Sequence, residues 1–128
     1  MRKVLPLAYC ASAFRAKTPE EARANVRRAR ALCKYALLKG FTPYAPHLLL
    51  TQFLTDEDPV QREAGINAGS DVMRLCEGFF VCKEDLDTSA GARAELHIAE
   101  YSYEVPSIFR VSRAELYAVE FTGSEVWK

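Results

Sequence analysis

The 128-residue chain has little that points to a polymer, a membrane or a metal. Its 17 Lys and Arg residues are matched by 17 Asp and Glu, so no net positive field gathers a nucleic-acid backbone and no nucleic-acid partner is expected. The apolar stretch within Met1–Tyr9 is too short for a bilayer and carries no signal-like cleavage pattern. Neither membrane attachment nor export is expected, which leaves the cytoplasm. The four cysteines, Cys10, Cys33, Cys76 and Cys82, form no CxxC pair, and neither His47 nor His97 completes a zinc-like spacing. Reduced, mostly buried thiols and no metal are the expectation. No repeat, low-complexity tract or linker divides the chain, so residues 1–128 read as one domain.

What the sequence does have is an alternation of apolar runs and capped helices. Val4–Tyr9 reads as a first strand, with Pro6 lacking a ladder donor. Thr18-Pro19-Glu20-Glu21 supplies an N-cap hydroxyl, a proline at the first helical position and an acid that can reach back, so a helix starts there and stops at Gly40. Ala22, Val26, Ala29, Cys33 and Ala36 form its apolar face, and Arg23, Arg27, Arg30 and Lys34 an adjacent stripe that reads as a solvated flank. Phe41–Ala45 reads as a second strand, followed by a loop and a short helix over Leu48–Leu54. Asp58-Pro59 caps a second long helix to about Cys76, weakened by Gly65 and Gly69. Gly78–Cys82 is a continuous apolar run, the expected central strand of a parallel sheet. A polar loop follows over Lys83–Thr88. Ala90–Tyr103 reads as a helix with Ala94, Ile98 and Ala99 inward, Val105–Val111 as a strand, and Leu116–Phe121 as an edge strand. The expected fold is α/β, a flavodoxin- or Rossmann-like three-layer sandwich around a mostly parallel sheet of four to five strands.

In such sheets ligands collect beyond the carboxyl ends of the strands, which directs attention to the loops Cys10–Lys17, Pro46–Asp58 and Lys83–Gly91. Ser89-Ala90-Gly91 opens a helix whose first N–H groups and dipole attract an anion, and Gly91 leaves room for close approach. Glu95 lies about one and a half turns further on, so its carboxylate can point back over the helix mouth. A carboxylate beside an anion site suits a reaction that builds positive charge between them, such as cleavage of a sugar C1′ bond to a base.

Seven pieces occur in order: Tyr9-x5-Arg15, Glu21-x3-Asn25-x3-Ala29, Gly40-x2-Pro43, Pro46-His47, Arg62-Glu63, Asp71 and Ser89-x-Gly91-x3-Glu95-x3-Ala99. With them the chain resembles the nucleoside 2-deoxyribosyltransferase superfamily over roughly residues 4–109, near a small phage and bacterial branch and the 2′-deoxynucleoside 5′-monophosphate N-glycosidases. The resemblance implies that Glu95 is the nucleophile attacking C1′, that Tyr9 orients its carboxylate, and that Asp71 places the base and manages the leaving-group proton. It implies that Ser12, Arg15 and Ser89 hold a 5′-phosphate, where a carboxylate at position 89 would repel it. His47 is a further candidate contact to sugar, base or phosphate, and His97 is assigned no role. The implied partner is a small-molecule nucleotide or nucleoside, with no cofactor, in a homodimer or higher homo-oligomer.

Two other readings stand beside this N-glycosidase or deoxyribosyltransferase. Ala11 and Ala13 stand where Gly or Pro residues are usual, which suits a module that binds a nucleotide or nucleotide-derived signal without turnover. The Arg23, Arg27 and Arg30 stripe suits a structural protein that docks an acidic partner.

Overall fold

The computed structural model describes residues 2–127. Four strands, β1 (Leu7–Ala11), β2 (Thr42–Tyr44), β3 (Gly78–Cys82) and β4 (Ser107–Val111), form an all-parallel sheet in the order β2-β1-β3-β4. β1 starts at Leu7 because Pro6 has no N–H for the ladder; its carbonyl instead accepts from the Thr42 amide at 2.8 Å. β3 lies in the middle and is buried along its whole length, as its unbroken apolar run requires.

Among the described residues six α-helices complete the fold: α1 (Pro19–Leu38), α2 (Pro46–Leu49), α3 (Pro59–Met73), α4 (Asp85–Thr88), α5 (Ala90–His97) and α6 (Arg113–Glu120). Alternation along the strands sorts the core into two halves. Ala8, Cys10, Phe80 and Cys82 pack with Leu32 and Ala36 of α1 and Leu116 of α6. Tyr9, Ala11, Phe79 and Val81 face the other way, onto Met73 of α3 and Ala92, Leu96 and Ala99 beyond. The result is a three-layer α/β sandwich. Among the described residues no helix is long and apolar enough to cross a membrane.

The caps behave as their sequences dictate. Thr18 Oγ1 accepts from the Glu21 amide at 3.1 Å, while the Glu21 carboxylate reaches the Lys17 N–H. α1 ends where Gly40 adopts φ of 91° and the Phe41 amide donates to the Ala36 carbonyl, a turn that a side chain would strain.

Several expectations are corrected. α1 turns Asn25, Ala29, Leu32 and Ala36 inward and leaves Ala22 and Val26 exposed, because its buried face begins with a polar residue that an apolar count passes over. The helix expected over Leu48–Leu54 begins earlier, as α2 followed by a 3-10 turn over Leu50–Gln52. α3 ends at Met73, short of Cys76. The loop Lys83–Thr88 contains α4. The helix from Ala90 changes to a π turn over Ile98–Ser102; Ala92, Leu96 and Ala99 face the core, whereas Ala94 and Ile98 are exposed. Leu116–Phe121 is no edge strand but the body of α6, started by a Ser112/Glu115 capping box.

Candidate active site

The direction of the chain reverses between β1 and β3. β1 leads to α1 on one face of the sheet and β3 to α5 on the other, so the loops after them part and leave a crevice at their carboxyl ends. A cavity of about 1060 Å³ opens there. Glu95, mostly buried, stands in its wall, and the Tyr9 hydroxyl donates a hydrogen bond to the Glu95 carboxylate. Tyr9 is fixed from behind by stacking on Phe79 at 5.7 Å and from above by Gly69, where an added Cβ would stand 3.4 Å from the hydroxyl. Burial raises the Glu95 pKa to about 7, opposed by the Tyr9 hydrogen bond. Burial and then the Glu95 charge push the Tyr9 phenol up, so it stays a donor.

One end of the cavity suits an anion. Ser89 caps α5, its Oγ accepting from the Ala92 amide at 3.1 Å, and an added Cβ at Gly91 would meet nothing nearer than that Oγ at 3.8 Å. Ser12 is buried, and its Oγ has no hydrogen-bond partner among the described residues. Arg15 lines the same cavity. His47 packs edge-on against Phe14 at 5.0 Å and lies beside the Ser12 backbone. Burial lowers its pKa, against the weaker pull of Asp56 and the Ser12 backbone, and its buried Nδ1 has no hydrogen-bond partner among the described residues.

Of the residues singled out from sequence, the fold therefore brings Tyr9, Ser12, Arg15, His47, Ser89, Gly91 and Glu95 to one cavity. It does not bring Asp71. That residue is exposed on α3 and absent from the lining, because the face of α3 toward the crevice carries Gly65, Ile66, Gly69 and Ser70.

Sequence reading missed a charged network behind the anion end. Asp85, 1% exposed, accepts from the Ala13 amide at 3.3 Å, and its other oxygen lies 3.7 Å from both Arg28 Nε and Arg113 Nη2. Arg28 also donates to Asn25 Oδ1 at 2.6 Å, and Asn25 Nδ2 donates to the Arg15 carbonyl at 3.4 Å. Buried Asn25 and Asp85 thus pin both sides of the Ser12–Arg15 loop. Asn25 falls within the motif pattern, but no spacing signals that positions 28, 85 and 113 meet. The Arg23–Lys34 stripe also differs from a plain solvated flank. Arg27 pairs with Glu120 at 2.8 Å and Lys34 donates to the Thr122 carbonyl at 2.7 Å, so two of its four cations hold the C-terminal segment.

No curated protein and no solved structure matches the chain. A family model described as a domain of unknown function, DUF7768, matches residues 6–106, more than half of the chain, and the protein belongs to that family.

Proposed function

We infer that the protein is a nucleotide N-glycosidase or deoxyribosyltransferase that cleaves the bond between base and sugar through Glu95. The observation that carries this reading is the part-buried Tyr9–Glu95 hydrogen bond in the wall of a cavity that is also lined by the N-terminus of α5 and by Ser12, whose hydroxyl has no partner among the described residues. A 5′-phosphate at Ser12, Arg15 and Ser89 would anchor the nucleotide and place C1′ near Glu95. The deprotonated carboxylate then forms an oxygen–C1′ bond while the C1′–nitrogen pair leaves with the base, which takes up a proton from water. Attack on the resulting ester by water completes hydrolysis, and attack by a second base completes transfer. Tyr9 holds one carboxylate oxygen, leaving the other directed at the sugar. This chemistry needs no cofactor.

Incubation with a panel of nucleosides and 5′-monophosphates, with free bases resolved by chromatography, tests the reading. Base release should be confined to phosphorylated substrates and fall on the order of 10³-fold in Glu95→Gln. Release that survives the substitution removes Glu95 from the role. The position of Asp71 favours a second reading, a module that binds a nucleotide or nucleotide-derived signal without turnover; tight nucleotide binding with no base released would select it. We also propose a homo-oligomer, supported by exposed Val60, Ile66 and Phe53 beside the crevice, and light scattering showing a monomer at working concentration would refute it.

A further inference from the structure

Asp85 holds two arginines near itself without closing a hydrogen bond to either. Its Oδ1 is 3.7 Å from Arg28 Nε and 3.7 Å from Arg113 Nη2, and both Oδ1 and Arg28 Nε are buried atoms with no hydrogen-bond partner among the described residues. A buried guanidinium N–H left in this condition is costly, and a partner that brings acceptor oxygens relieves that cost, whereas Asp85 Oδ1, itself an acceptor, is not satisfied by it. Arg28 and Arg113 both line the cavity. Ser89, the cap of the proposed phosphate cradle, is reached from Asp85 by the single turn α4, its amide donating to the Asp85 carbonyl at 2.8 Å. Four residues of helix rise about 6 Å, so the arginine pair and the cradle are close neighbours.

The donors point the same way. A single phosphate can be satisfied by the Ser12 hydroxyl, the N-terminus of α5 and Arg15. Arg28 and Arg113 share Asp85, and Glu84, whose carboxylate accepts from the Arg113 amide at 3.0 Å, offsets part of the remaining charge, so what the pair offers a ligand is guanidinium donors rather than net charge. Arg28 is already oriented by Asn25, so its remaining donors need little ordering to grip a ligand.

We propose that Arg28 and Arg113, gathered by Asp85, form a second anion subsite adjoining the Ser12–Arg15–Ser89 cradle, so that the ligand carries two linked phosphates, as a nucleoside 5′-diphosphate does. The proposal rests on reading the crevice as a nucleotide site, and it extends the tail beyond the single phosphate that the resemblance implies. Arg113 stands outside residues 6–106, so half of this subsite is supplied by the segment beyond the family match.

Calorimetric titration of the intact protein with inorganic phosphate and with pyrophosphate reads the subsite without any base chemistry. Pyrophosphate should bind at least about tenfold tighter than phosphate. Arg113→Gln, at a half-exposed side chain, should lower pyrophosphate affinity more than phosphate affinity and so collapse that preference. Arg28→Lys, which keeps the charge but loses the fork, should reduce the preference in part. Base release measured as kcat/KM should likewise be higher for a 5′-diphosphate than for its monophosphate in the native protein and equal in Arg113→Gln. Equal affinity for phosphate and pyrophosphate overturns the proposal, as does an Arg113→Gln variant that weakens both alike. A pyrophosphate preference without base release upholds the subsite and sinks the glycosidase. Base release from monophosphates without that preference does the reverse.

Discussion

Glu95 is placed where a carboxylate is expensive to ionise, and the consequence can be measured apart from catalysis. Its folded pKa is about 7 against an ordinary 4.5, raised mainly by burial. Between those values the unfolded chain has released the proton and the folded chain still holds it, so stability falls as pH rises through that window and stays lower above it. Glu95→Gln removes the ionisation. It should be more stable than the native protein at pH 8, by on the order of 2–3 kcal/mol, with the difference closing toward pH 4.5. Urea titrations at the two pH values check this; a variant that is less stable at pH 8 would show that Glu95 is not desolvated. Under the proposed function the same ionisation acts on activity with the opposite sign. With Glu95 as nucleophile, kcat/KM for base release should climb with pH through about 7 and then level, because the attacking form would be the carboxylate. A group that destabilises the fold in the state in which it would react is the trade expected of an active site.

At the scale of elements, α5 does two things with one side chain. Ser89 caps the helix through the Ala92 amide, and it faces the ligand end of the cavity. Substitutions can separate these roles. Ser89→Ala should lose about 1 kcal/mol of stability with the cap. Ser89→Asp keeps a capping oxygen, so its melting behaviour should stay close to native, yet the added charge should weaken phosphate binding by at least about tenfold. Calorimetry with inorganic phosphate, paired with thermal melts, distinguishes the two; unaltered phosphate affinity in Ser89→Asp would place the anion elsewhere. α6 shows how local signals compete. Ser112-x-x-Glu115 is a capping-box signature, and the structure forms both of its hydrogen bonds, but Tyr117, Val119 and Phe121 alternate in a way that also suits a strand. Leu116 settles the matter by burying itself against the α1 side of the sheet, where a helix is needed to close the layer.

For the molecule as a whole, the sandwich was readable because parallel strands must be apolar and helices must begin at caps, and Gly78–Cys82 and Thr18–Glu21 carry those signals locally. The convergence of Tyr9, Ser12, Ser89 and Glu95 followed from their places on β1, in the loop after it, and at the start of α5 beyond the carboxyl end of β3. The face of α3 that holds Asp71 away from the crevice, and the meeting of Arg28, Asp85 and Arg113, depend on helix rotation and long-range packing that no local pattern encodes. Two glycines show how separate the scaffold and the site are. A Cβ at Gly78 would stand 2.8 Å from the Phe41 ring, which is wedged against Phe80 at 5.4 Å and Phe109 at 5.7 Å and cannot retreat. Gly78→Ala should therefore lose roughly 1–3 kcal/mol by overpacking, seen as a lower urea midpoint with an unchanged slope. Its activity per folded molecule should persist, since those rings lie on the sheet face away from Tyr9. At Gly69 the new Cβ meets the Tyr9 hydroxyl at 3.4 Å and Pro46 at 3.9 Å, ordinary contacts in a helix that itself gains up to about 1 kcal/mol from alanine. Gly69→Ala should hold or raise the midpoint and change base release little, because the new Cβ comes no closer than van der Waals contact to the Tyr9 hydroxyl that bonds Glu95. If both variants lost stability and activity together, the site and the sheet would be one cooperative unit rather than a crevice laid over an independent scaffold.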